Sequence, residues 1–229
     1  MKTLVVGLQI MFAALLISLE GCAVAPSAQM ASVQDGSKLT AGGNISAFIK
    51  NKDKDDVVDV SRYPSAGLFL RYTYGKNNGN INPFDNNITY SYQRDFEGEN
   101  NFHLINYEIR SSFPRGELAY AIGLEIDLTY YEHSIVPEDY AFRIYRNFVL
   151  GLGLNLYYSY NEQYCIENDF QIPLFYSRLH LAGPLFPGDI SVTAGCKFPG
   201  EYPIYIEGQF GCLIYYIYGG IAVGTEFGL

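Results

Sequence analysis

The sequence of 229 residues has no tryptophan, three methionines and few charges: Asp, Glu, Lys and Arg together make 17%, against about 25% in an ordinary soluble domain. Basic residues are the scarcer sign, 15 against 24 acidic, for a net charge of −9. Without a basic patch to neutralise phosphates, a nucleic-acid partner is excluded. Beyond the N-terminal region no segment carries a convincing helical period, and 23 glycines argue against a helical bundle. No CxxC, HExxH, P-loop or dinucleotide fingerprint occurs, so neither a metal nor a cofactor is expected. What is abundant is aromatic, with 21 Tyr and 15 Phe, and that excludes a disordered chain. The length suits one domain or two small ones.

Lys2 is the only charge before an apolar stretch from Leu4 to Leu19, the pattern of an export signal. The stretch barely reaches the ~20 residues that a spanning helix needs. Leu19-Glu20-Gly21-Cys22 follows, and it resembles the bacterial lipoprotein signal, with Leu19 and Gly21 at the matching positions and Glu20 departing from them. The resemblance implies removal of residues 1–21 and lipidation of Cys22. Ala23 after that cysteine, in the enterobacterial version of the family, permits transport to the outer membrane. The competing reading is an ordinary cleaved signal with an incidental cysteine. Residues 22–37 are small, polar and aperiodic beyond the cysteine, and are expected to form a flexible tether.

From residue 38 to 229 the period is two. Leu118, Tyr120, Ile122, Leu124, Ile126, Leu128 and Tyr130 form one face of a segment whose other face is Ala, Gly, Glu, Asp and Thr. Phe148, Leu150, Leu152, Leu154, Leu156 and Tyr158 do the same. Such alternation is a strand between two environments. Three features put the apolar face outside. Tyr120 and Tyr130, and again Phe148 and Tyr158, bracket aliphatic segments at ten-residue spacing. At ~3.3 Å per residue and ~40° tilt this projects to about 25 Å, the height of a lipid-facing band between aromatic girdles. The opposite face is small and carries charges of both signs, which suits a narrow lumen. The C-terminal Gly224, Phe227 and Leu229 resemble the β-signal of bacterial outer-membrane proteins, with Ala222 standing where a polar residue is usual.

The chain thus resembles small bacterial outer-membrane β-barrel proteins. That implies an all-β, closed antiparallel up-and-down transmembrane barrel over residues 38–229, of about ten strands with eight as the runner-up. Candidate strands are 38–50, 64–76, 86–95, 101–113, 116–131, 141–160, 168–181, 187–198, 202–212 and 214–229. Both termini are expected on the periplasmic side, with long outward loops at 51–63, 97–101 and 132–140. The expected partners are outer-membrane lipid and, through the C-terminal strand, the barrel-assembly machinery.

By strand parity Arg71, Glu108, Arg110, Glu125, Asp127, Arg143, Lys197, Glu207, Gln209 and Glu226 point into the lumen. They form either an ion-pair network that plugs a narrow barrel or the lining of a small conducting path. An acidic loop (Asp53, Asp55, Asp56 and Asp59) offers oxygen ligands but lacks the Gly and final Glu of an EF-hand, so it reads as a solvated loop. Of three histidines (His103, His133 and His180), only His180 invites an enzymatic reading, through Ser177-Arg-Leu-His180 and its resemblance to barrel lipid deacylases. Ser177 and His180 are three apart and fall on opposite faces, and no acid is in view, so no catalytic residue is assigned. Cys165, Cys196 and Cys212 allow one disulfide, with Cys196 and Cys212 as neighbours on adjacent strands, or none. The leading reading is a plugged outer-membrane barrel lipoprotein working structurally or through its loops. A small porin or transport barrel and a periplasmic lipocalin-like ligand-binding lipoprotein are the alternatives.

Overall fold

The computed structural model describes residues 28–50, 61–77, 82–96, 101–131, 143–145, 148–169, 173–182, 189–213 and 216–229. Cys22, the acidic loop, His133 and the segments 97–100 and 132–140 lie outside the described residues.

The alternating segments form strands β1 (Gly36–Lys50), β2 (Ser61–Lys76), β3 (Phe84–Asp95), β4 (Asn101–Arg115), β5 (Leu118–Tyr131), β6 (Arg143–Tyr145), β7 (Phe148–Tyr160), β8 (Leu174–Ala182), β9 (Asp189–Phe198), β10 (Ile204–Leu213) and β11 (Tyr216–Gly228). A six-residue helix, α1 (Glu162–Glu167), joins β7 to β8. Ten strands close into one antiparallel ring: β11 pairs with β1, and β5 pairs with β7. The weaker candidate strands at 86–95 and 187–198, whose loss to loops would leave eight, are both integral. β3 pairs with β2 and β4, and β9 with β8 and β10.

The ladder also fixes the stagger. From Gly36 it passes through Gly75, Asp85, Arg110, Gly123, Asn155, His180, Ser191, Gly211 and Tyr218 and returns to β1 at Phe48, twelve residues further along. A ring with this shear has strands tilted by roughly 40°. Every residue on that path between Gly36 and Phe48 faces the interior.

The apolar face is outside. Ile122, Leu124 and Leu152 are 46%, 66% and 52% exposed, while Gly123 is buried and Asn155 is 0% exposed. Cross-strand register lines up the bracketing aromatics, Tyr120 with Tyr158 and Tyr130 with Phe148. The rings of Tyr120 and Tyr158 sit 5.3 Å apart. His103 belongs to the girdle at the other end, with its Nδ1 2.9 Å from the Tyr90 hydroxyl and its ring 5.0 Å from that of Tyr92.

Two expectations change. The strand expected from 168 begins at Leu174, because α1 and the turn at Asn168 and Asp169 (φ 54° at Asp169) occupy the preceding residues. One and a half helical turns are too short to show a period in sequence. The strand expected over 141–160 is divided, with β6 folding back beside Phe148 and Val149 on the edge of β7 above the last β8 pair.

The N-terminal segment departs most from its expected place. Of the residues read as a tether, Ala28–Val33 are all buried. Their bonds run to inward-facing side chains: the Ala28 amide donates to Glu207 (2.7 Å), Gln29 Nε2 to Asn87 (2.8 Å) and the Ala31 amide to Ser159 Oγ (2.9 Å). Arg110 and Ser112 donate to the Met30 and Ala31 carbonyls. The small inward residues Ala119 and Ala121 pack against Ala31. They leave room for a length of chain inside the ring rather than reflecting a cramped lumen.

Candidate functional site in the barrel lumen

Parity along each strand puts polar and charged side chains in the interior, and the register decides which of them meet. At the end carrying the termini, Lys197 Nζ donates to Glu162 on α1 and to Glu226 Oε1 (3.1 Å). Lys38 reaches the same Glu226 oxygen at 3.0 Å, and the Tyr205 hydroxyl donates to its other oxygen at 2.8 Å. Lys197 also lies over the Tyr205 ring, 5.1 Å from its centroid. The Glu162 amide donates to Ser32 Oγ (3.1 Å), so α1 and the N-terminal segment close this end together.

One level higher, Arg110 forks onto Asp85, Nε to Oδ1 at 3.1 Å and Nη2 to Oδ2 at 2.5 Å. Its guanidinium stacks over Tyr157, 4.8 Å from the ring centroid. A two-pronged pair whose third nitrogen, Nη1, donates to the Met30 carbonyl is an arrangement in which a buried charge is tolerated. Beside it a polar cavity of about 30 Å³, with room for one or two waters, lies among Gln29, Thr40, Thr73 and Asp85.

Amides bridge the carboxylates of the middle. Asn155 Nδ2 donates to Glu108 Oε1 (2.8 Å) and Glu125 Oε2 (2.6 Å), and the Tyr157 hydroxyl donates to Glu108 Oε1 (2.8 Å). Glu207 accepts from the Tyr176 hydroxyl at 2.7 Å, and Arg71 Nε donates to Thr89 Oγ1 at 2.9 Å. Inward glycines make the space: a Cβ on Gly123 would sit 2.0 Å from Glu108 Oε1. Towards the loop end, Asn106 Nδ2 donates to both Glu125 Oε2 (3.0 Å) and Asp127 Oδ1 (2.6 Å). His180 Nδ1 stands 2.8 Å from Glu125 Oε1 and 2.9 Å from Asn155 Oδ1.

Of the residues placed in the lumen by parity, Arg71, Glu108, Arg110, Glu125, Lys197, Glu207 and Gln209 are buried, and Asp127 and Glu226 are partly buried. Arg143 opens β6, and its side chain lies outside the described residues. Sequence reasoning missed Asp85, Tyr157, Arg178 and Glu162, all buried, and the acid beside His180. Asp85 shares the parity of Asn87 and Thr89 and becomes legible once β3 starts at Phe84. Arg178 shares the parity of His180. The acid was not legible: Glu125 pairs with Gly153 and His180 with Asn155, so the two meet only across β7. Ser177 lies on the opposite face from His180, as its spacing requires.

The cysteines form no bridge among the described residues. Cys196 pairs with Ile206, and Cys212 with Ile190, six register positions away. At ~3.3 Å per residue that is roughly 20 Å, far beyond disulfide reach.

No protein-family model matches the sequence, and no curated protein matches it. Among solved structures, the chain is similar to the translocator domain of the autotransporter NalP from Neisseria meningitidis, at 9% identity over 86% of this chain and 89% of that one, with a TM-score of 0.48. It is similar to an outer membrane channel from Pseudomonas putida F1 at 9% identity, over 90% of this chain and 100% of that one, TM-score 0.47. A third likeness is to the β domain of the Bordetella autotransporter BrkA, at 9% identity over 85% of this chain and 100% of that one, TM-score 0.45. These neighbours are bacterial outer-membrane β-barrels. The chain's own ladder makes it an all-β, closed antiparallel barrel of ten strands.

Proposed function

We propose that this protein is an integral outer-membrane β-barrel lipoprotein with an occluded lumen, acting structurally or through the loops opposite its termini. The observation that carries the occlusion is the passage of Ala28–Val33 inside the ring, bonded to Glu207, Asn87, Arg110, Ser112 and Ser159. The exterior supports the membrane. Leu68, Ile88, Ile105, Leu124, Leu152, Val192, Ile206 and Val223 are exposed on eight different strands of the ring. A belt of this extent far exceeds the ~300–600 Å² apolar patch of a water-soluble monomer. In a bilayer it meets acyl chains, and ring closure leaves no strand edge unpaired in lipid.

On this reading Cys22 carries the lipid and both termini face the periplasm. The partners are the lipid around the belt and the assembly machinery that receives β11, the strand that closes the ring on β1. The barrel has no enzymatic role, and His103 serves the aromatic girdle.

Single-channel recording on the purified protein in planar bilayers tests the occlusion. No sustained open current is expected; a steady open state identifies a porin instead. Replacing Cys22 with Ala tests the membrane assignment: the protein still requires detergent, whereas a lipocalin-like lipoprotein is released into solution. Lipid A and phospholipid of cells expressing the protein stay unmodified, and a modification abolished by His180→Ala overturns the non-enzymatic reading.

A further inference from the structure

The lumen balances its charges unevenly. At the terminus end Lys38 and Lys197 match Glu162 and Glu226, and Arg110 matches Asp85. Above them, among the described inward-facing residues, the four carboxylates of Glu108, Glu125, Asp127 and Glu207 share the interior with two further guanidiniums, Arg71 and Arg178, and with the imidazole of His180. Counted over these described residues with the imidazole neutral, carboxylates outnumber cations by two, and three of the four are drawn together by the amides of Asn106 and Asn155. Carboxylates gathered in a dry interior require a compensating cation or a proton.

An imidazole stands at the same point. One ligand atom each from Glu125, Asp127 and His180 lie within 4.8 Å of one another. The wall behind them is recessed: a Cβ on Gly153 would lie 2.5 Å from Glu125 Oε1, and one on Gly151 3.2 Å from Asp127 Cβ. One strand beyond His180, directly opposite it in register, Ser191 turns its hydroxyl to the same interior. Ser191 is 1% exposed and its Oγ has no hydrogen-bond partner. A buried hydroxyl left without a partner on the strand next to His180 is an oxygen that a water or a ligand is expected to meet.

We propose that Glu125, Asp127 and His180 bind a single divalent transition-metal ion in the loop-side half of the lumen. One imidazole nitrogen with two carboxylate oxygens is a mixed N/O donor set, suited to Zn²⁺ or Co²⁺ rather than to the all-oxygen shells of Mg²⁺ and Ca²⁺. The ion lies where its charge compensates the carboxylates gathered around it. Asn106 and Asn155 orient the carboxylates from the second shell. The site ties β5 to β8 across β7 and acts as a cross-brace of the barrel wall.

The test uses the full mature protein folded in detergent, stripped with chelator and titrated with Zn²⁺, followed by gel filtration and elemental analysis. About one equivalent is retained, Mg²⁺ in excess does not displace it, and Co²⁺ in its place gives visible d–d absorption. Asp127→Asn keeps size and hydrogen-bonding capacity and weakens binding by more than about 100-fold, as does His180→Gln. The slower migration of boiled against unboiled protein on gels checks that each variant is folded; should His180→Gln fail to fold, Asp127→Asn and the Co²⁺ spectrum decide. Absence of stoichiometric metal in the wild type overturns the proposal. So does binding of equal strength in both variants, which places the metal elsewhere, such as on the acidic loop.

Discussion

The two halves of the lumen are built differently. At the terminus end the barrel is filled by chain as well as by side chains: Ala28–Val33 are buried with Ala31 against Ala119 and Ala121, α1 bonds to Ser32, and the cations of Lys38, Lys197 and Arg110 are paired with Glu226, Glu162 and Asp85. At the loop end the wall residues are polar but less well matched. Asn44 Oδ1, Ser91 Oγ, Gln93 Oε1, Ser191 Oγ and Gln209 Nε2 are buried without partners, whereas Gln29 Oε1 is the corresponding atom of the N-terminal segment. Buried polar atoms are rarely left so unless water or a ligand meets them. The terminus end is thus filled and paired, and the other half of the lumen, though equally buried, leaves more of its polar atoms unmatched among the described residues.

The comparison breaks first at the terminus end. Arg110→Met leaves Asp85 buried without its cation and frees the Met30 carbonyl. It costs about 3–5 kcal/mol of folding stability, measured by urea unfolding in lipid vesicles, and Arg110→Met with Asp85→Leu recovers most of the loss. Leu124→Arg tests the outer face instead. A charge near the bilayer midplane costs about 2–4 kcal/mol in the same assay, whereas on a wetted surface it changes stability little. Ala31→Leu inserts volume where Ala31 is packed against Ala119, Ala121 and Tyr157, and overpacking costs about 1–3 kcal/mol. Smallest of all, Cys212→Ser at an exposed, unbridged position shifts stability by less than about 0.5 kcal/mol, and reductant leaves wild-type unfolding unchanged.

Much of this architecture is legible in the sequence. The alternation of β5 and β7 gave their faces, and the ten-residue aromatic spacing gave girdles that register then aligned as Tyr120 with Tyr158 and Tyr130 with Phe148. Parity alone brought Arg71, Glu108, Arg110, Lys197 and Glu207 inside, because a period of two carries orientation in the sequence itself. Three features were hidden. Helix α1 is shorter than the window in which a period is visible. The segment Ala28–Val33 has the small, aperiodic composition of a linker, and what buries it lies far along the chain, including Phe69, Asn87, Arg110, Ser159 and Glu207. His180 meets Glu125 only because Gly153 and Asn155 leave a passage across β7, and that depends on register, which alternation does not encode.

The wall turns its aliphatic side chains outward and encloses its ionised ones, and on the proposed reading the outward face meets lipid. Because the chain has no tryptophan, Leu124→Trp introduces a lone fluorophore at mid-belt. In vesicles whose acyl chains are brominated near the bilayer centre, its emission is quenched strongly while aqueous iodide leaves it untouched. Quenching by iodide with indifference to the brominated lipid contradicts the account.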